Sequence, residues 1–293
     1  MGSRCEKRGR DPARPWCRLP KTNMILLYPA VVAAYLAAAW LDWRQLAQAS
    51  QRLSPPVAAT ARWLPAAALA GHAALVSAVV FSAGTLDLSL SNAVSAVAGL
   101  IALFAWLGSR SGALPGVAVI ALPVAAGAVL LPLLFANPHR MSLADEPWAA
   151  LHIAVALTAY AMLIVAALQA LLLMSLERRL HRGQAARSAA AMPPLLTLER
   201  FLFRLVTLGY ALLTLTLLSG IVFSEELFGK PLTFTHKIVF SVLGWLVFGA
   251  VLFGRYRYGW RGKTALRWIL TGGILLLVAY IGSKFVLEAI LHR

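Results

Sequence analysis

The chain has 293 residues, 60% of them hydrophobic and 13% charged, with a mean hydropathy of +0.75 and a formal charge of +16. A soluble domain is about 45–50% apolar and about 25% charged, so these figures exclude a soluble enzyme, a disordered chain and a secreted disulfide scaffold. The two cysteines, Cys5 and Cys17, form no C-x-x-C and no C-x-x-C-H, which excludes a dithiol reductant and a c-type cytochrome.

Residues 1–23 hold seven Lys or Arg and two acids but no apolar h-region, so they do not read as a signal peptide. Windows of about 19 residues then predict eight spans: Met24–Trp43, Trp63–Ser82, Asn92–Ser109, Pro115–Phe135, Trp148–Ser175, Phe201–Phe223, Thr235–Phe253 and Ala265–Leu287. The expected fold class is all-α, a polytopic membrane helix bundle. The third span is the shortest, and the fifth is long enough to tilt or to project beyond the hydrocarbon. Pro123 and Pro132 interrupt the fourth.

The connectors alternate in charge. After span one come Arg44, Arg52 and Arg62; after span three, Arg110; after span five, Arg178, Arg179, Arg182, Arg187 and Arg200; after span seven, Arg255, Arg257, Arg261 and Lys263. The opposite loops carry Asp87, Asp145 with Glu146, and Glu225 with Glu226. The positive-inside rule puts the basic set in the cytoplasm and both termini outside, in a bacterial-type inner membrane. The cations thus imply orientation and no nucleic-acid partner. The basic extension contradicts this topology, so Met24 is expected to be the natural start of an eight-span domain covering 24–293. The alternative is a miscounted first or third span.

Ionisable side chains within the bilayer are costly and mark candidate sites. His139 and His181 lie in connectors and His292 is penultimate, positions where a histidine is ordinarily just solvated. His152 stands four residues into span five and His236 opens span seven, so both are expected at similar depth near the outer surface. Below His152, one helix face carries Val155, Ala156, Ala159 and Leu163, small enough to admit a flat macrocycle. Below His236, the matching face carries Phe240, Leu243 and Val247. Two neutral imidazoles can ligate haem iron axially, with Arg140, Lys230, Lys237 and Lys284 on the outer side to hold propionates. The competing reading is a pair of interfacial polar residues bonded to neighbouring helices. His72 lies near the midplane and must find a bundle partner, such as Asn92 or a backbone carbonyl, or else ligate a group or relay protons.

Two stretches resemble the cytochrome c assembly superfamily of haem-handling membrane proteins, the CcsA, CcmC and HemX group. The first runs from Trp148 through His152 to Tyr160. The second runs from His236-Lys237 through Gly244-Trp245-Leu246 to Gly259-Trp260-Arg261-Gly262-Lys263, then Gly282-Ser283-Lys284. The resemblance covers roughly residues 63–288 and is closest to the compact eight-span branch that holds YpjD and HemX. Two departures stand out. The family's Trp-Gly-x-x-Trp and Trp-Asp signature is replaced by the run Phe228–Lys237, and Phe253-Gly254-Arg255 occupies the place of an inner histidine. His292 falls roughly where relatives carry a late outer histidine.

The resemblance implies haem as the cofactor, held by His152 and His236 as iron ligands. His72, Arg140, Lys237 and Lys284 are its further contacts, and other cytochrome c assembly proteins and the lipid bilayer its partners. It implies an accessory role in cytochrome c maturation or haem supply rather than an enzyme acting alone. The runner-up is a haem-free regulatory scaffold that docks a partner through the arginine-rich connector Glu177–Arg204. A secondary transporter would need paired broken spans, and span four has no counterpart. Gly108-x-x-x-Gly112 reads as loop rather than dimer face, because it lies at a span end and contains Arg110.

Overall fold

Long apolar runs can satisfy their backbone inside a bilayer only as helices or closed barrels, and here they fold as helices. The computed structural model describes residues 21–47, 55–82, 85–87, 89–114, 116–135, 140–142, 147–182, 194–228 and 236–279. The helices are α1 (Lys21–Ala47), α2 (Pro55–Val80), α3 (Leu90–Arg110), α4 (Val117–Ala128), α5 (Leu131–Leu134), α6 (Pro147–His181), α7 (Leu195–Phe228), α8 (His236–Tyr258) and α9 (Gly262–Leu277). Seven spans among the described residues are long and apolar enough to cross a membrane, α4 and α5 together counting as one. The sixteen residues of α9 supply the eighth member of the bundle. The fold is therefore an all-α polytopic membrane bundle, as the hydropathy runs predict. Most of the basic extension, residues 1–20, lies outside the described residues.

Neighbour contacts close into two rings of four. In the first, α1 packs on α2, α2 on α3, α3 on α4, and α4 back on α1. In the second, α6 packs on α7, α7 on α8, α8 on α9, and α9 back on α6. The seam between the rings is α3 and α4 against α6, and α6 is accordingly buried on nearly every side from Ala159 to Ala166. Small residues let these helices meet without a hydrophobic driving force from water. A methyl group added at Gly209 of α7 would stand 2.8 Å from Leu163 of α6, and one at Gly273 of α9 would stand 2.6 Å from Ala167 of α6.

Three elements differ from the sequence-based expectation. Helix enters the connector after span five from both sides: α6 runs on to His181 and α7 begins at Leu195, because Leu198 and Leu202 continue the buried stripe. At 1.5 Å per residue, the 35 residues of α6 reach about 52 Å, well past a hydrocarbon core of about 30 Å. Span four breaks between Ala128 and Leu131, just before Pro132, whereas Pro123 stays inside α4. A three-stranded antiparallel ribbon, β1 (Phe81–Ser82), β2 (Thr85–Asp87) and β3 (Arg140–Ser142), pairs backbone where the chain leaves the bundle. Gly108 and Gly112 end α3, as expected of a loop. Gly112 takes φ 67°, Ala113 N–H bonds to the Gly108 carbonyl (2.9 Å) and Leu114 packs onto Gly108.

Chain order puts the starts of α3, α6 and α8 and the ends of α2, α5 and α7 at one end. The opposite end gathers Arg44, Arg62, Arg110, Arg178, Arg200, Arg255 and Lys263 at helix termini. Arg110 spreads over the rings of Trp63 (5.1 Å) and Trp106 (5.2 Å) there, an aromatic anchor at the bundle rim.

Candidate functional site

His72 sits in the middle of α2 inside the first ring, at 2% exposure. Its Nδ1 meets Tyr35 Oη of α1 at 3.0 Å and its Nε2 meets Ser95 Oγ of α3 at 3.0 Å. The Tyr35 ring packs edge-on at 5.7 Å, and Gly99, one turn below Ser95, lies against the imidazole. The side-chain partners are thus the Tyr35 and Ser95 hydroxyls rather than Asn92. Asn92 stands a turn nearer the end of the bundle, where its amide donates to the Asp87 carbonyl (3.1 Å). Both His72 nitrogens are engaged, so ligation by this residue would break one of the two bonds.

His152 belongs to the second ring. Six residues into α6 and half-buried, it faces Ser219 near the end of α7. The Ser219 hydroxyl donates to the Leu215 carbonyl a turn earlier (2.7 Å). The same oxygen stands 2.7 Å from His152 Nδ1. A hydroxyl at Nδ1 orients the ring, as the outer-shell bonds of metal-binding histidines do. Gly220 packs against the same ring. The pair Ser219-Gly220 was legible as a hydroxyl beside a glycine in an apolar run, but its pairing with His152 was not.

Deeper in this ring, Tyr160 Oη of α6 meets Ser241 Oγ of α8 at 3.1 Å, linking diagonal helices. Trp245 Nε1 donates to Thr214 Oγ1 of α7 (2.9 Å), and the Trp245 ring stacks on Tyr210. The face of α8 turned inward is Ser241, Gly244, Phe248 and Val251, rather than Phe240, Leu243 and Val247. Gly244 and Gly272 explain the phase: Leu276 packs onto the first and Phe248 onto the second. Along α6, Ala159 and Leu163 face inward as expected, but Leu163 seats on Gly209, so that part of the seam is filled by side chains.

The remaining predicted residues are more scattered. His236 and Lys237 are the first two residues of α8, at the same end of the bundle as His152. Arg140 starts β3 and pairs in register with Asp87. Lys284, Lys230, His139 and His292 lie outside the described residues. His181 is exposed and bonds the Glu177 carbonyl (2.8 Å). His72 and His152 stand in different rings, and among the described residues no group of three or more His, Cys, Asp or Glu gathers for a metal.

The Gly-Trp-x-Gly stretch is a structural turn between α8 and α9. Gly259 and Gly262 take φ 65° and 56°, and Trp260 folds back onto Gly254. Arg255 then donates to the Trp260 carbonyl (3.1 Å) and to Glu199 of α7 (2.8 Å), tying the turn to the projecting hairpin. This turn and the Trp148–Tyr160 segment lie within a stretch that a known family matches: the family described as Cytochrome C assembly protein matches residues 62–291. The chain belongs to the cytochrome c assembly family. The match takes in His72, Ser95, His152 and His236 and leaves out all of α1, including Tyr35. Among individual relatives, the chain is 36% identical over 154 residues to the inner membrane protein YpjD of Escherichia coli, covering 53% of this chain and 57% of that one. It is 28% identical over 196 residues to the cytochrome c biogenesis protein CcsA of a Synechococcus species, covering 57% of this chain and 64% of that one. A CcsA of Prochlorococcus marinus matches over 88 residues at 33% identity, 30% of this chain and 28% of that one. The chain thus spans little more than half the length of the YpjD relative it matches.

Proposed function

We propose that this cytochrome c assembly protein is an accessory haem-handling protein of an inner membrane. In this reading, the second ring holds haem near its less basic end for supply to cytochrome c maturation. Haem offers an iron that takes axial imidazoles and two propionates that favour cations. The chemistry at His152 fits such a group: Ser219 orients the imidazole through its Nδ1. That single contact carries the reading. His236, at the start of α8, is the second ligand. Arg140, Lys237 and Lys284 serve the propionates, and partner proteins of the same assembly pathway receive the haem. His72 stays with the first ring as its internal tie. The basic end faces the cytoplasm, which turns the histidine end outward.

The test is the absorption spectrum of the detergent-purified protein with and without added haemin. Wild type is expected to show a Soret band at about one haem per chain, weakened at least several-fold in His152→Ala and in His236→Ala. Failure to bind haem at that ratio overturns the reading. One observation favours the scaffold reading instead: the α6–α7 hairpin projects past the hydrocarbon and carries Arg178, Arg179, Arg182 and Arg200. A haem-free protein that loses a co-purifying complex when those arginines are neutralised would establish the scaffold.

A further inference from the structure

The seam between α6 and α9 is tight at one level and open at another. At Ala167 and Gly273 the helices nearly touch. Toward the basic end they part around a cavity of about 90 Å³ lined by Met174, Arg178, Lys263 and Arg267. Three of its four lining residues are cations. The ion pair found among the described residues joins Arg255 to Glu199 and involves none of these three. Glu177, the nearest acid in sequence, turns its carboxylate toward Gly262, at 3.8 Å from where a Cβ would stand, and does not line the cavity.

The apolar surface beneath the cations has a matching shape. Ala167, Leu171, Met174 and Arg178 fall on one stripe of α6, at intervals of four, three and four residues. Leu171, two turns deeper than Arg178, is 47% exposed. On α9, Ile274 stands two turns deeper than Arg267 and is 60% exposed. Two turns of helix span about 10 Å. The groove therefore sets three positive charges at the rim of the bundle and leads from them into exposed hydrocarbon-compatible walls.

We infer that the α6–α9 groove is a binding site for one anionic phospholipid, its phosphate in the Arg178–Lys263–Arg267 cavity and an acyl chain along Leu171 and Ile274. A free phosphate would satisfy the cations but leave the apolar walls without an occupant, which is why the lipid is the ligand of choice. Basic pockets between spans are a recurring site for such headgroups. Arg supplies paired donors that match phosphate oxygens, and Lys adds a compact third charge. The inference stands independently of haem.

The test uses the full chain in a neutral detergent, with retained lipid read by native mass spectrometry. Phosphatidylglycerol is expected to be kept at one molecule per chain and phosphatidylcholine at least tenfold less. The double variant Arg178→Gln/Arg267→Gln should lose about tenfold or more of the phosphatidylglycerol. Met174→Trp, which fills the cavity and keeps every cation, should do the same. Arg179→Gln/Arg200→Gln removes equal charge from the same end and should change retention less than twofold. Equal loss in that control would replace a site with diffuse attraction and overturn the inference. So would full retention by either groove variant, or displacement of the lipid by millimolar inorganic phosphate.

Discussion

The two rings handle buried polarity in opposite ways. In the first, three helices send Tyr35, His72 and Ser95 to one point at mid-depth, and both imidazole nitrogens are used within the bundle. In the second, polar contacts are strung along the ring: His152 with Ser219 near one end, Tyr160 with Ser241 and Trp245 with Thr214 inside, and Arg255 with Glu199 at the other end. A histidine inside a membrane thus has no fixed meaning. Its depth, its exposure and the use of each ring nitrogen separate a structural tie from a candidate ligand.

The comparison can be broken most sharply at its centre. His72→Ala leaves the Tyr35 and Ser95 hydroxyls without their shared partner in a dry core and opens a cavity, so a loss of about 3 kcal/mol is expected. Thermal unfolding in detergent measures it. If His72 were a haem ligand instead, apo-protein stability would hold and the Soret band would fall. A smaller effect tests the other ring. Ser219→Ala removes the hydroxyl that orients His152, and haem affinity is expected to drop about tenfold, with unfolding temperature nearly unchanged. A haemin titration followed by absorbance reads that ratio; an unchanged affinity would separate Ser219 from the site. The smallest effect lies at the seam. Gln169 of α6 is 1% exposed and its Oε1 has no hydrogen-bond partner among the described residues. Gln169→Met fills similar volume without the orphaned oxygen and is expected to stabilise by about 1 kcal/mol. A stability loss would mean that this amide oxygen is satisfied after all.

Much of the site was legible in part. That His152 and position 236 share one end of the bundle followed from counting residues into each span, since both helices begin there. The small face below His152 was also read correctly as the inward one. Its use was not: Ala159 and Leu163 serve helix packing, with Leu163 seated on Gly209, and two glycines set the phase of α8. For His72 the need for a partner was predictable, but the expected Asn92 lay one turn away from the required depth. Tyr35 is 37 residues distant and Ser95 23, and nothing local in either stretch announces the pairing.

Hydropathy and charge are local properties that a bilayer acts on segment by segment. The sequence alone therefore determined the all-α membrane class, the placement of the seven long spans, the basic end of the bundle, and the histidines worth considering. Which helices become neighbours is a long-range choice, settled by small residues that meet across tens of positions. Only the tertiary structure decided that His72 is sealed between two hydroxyls, that Ser219 meets His152 across the second ring, and that α6 and α9 part around three cations.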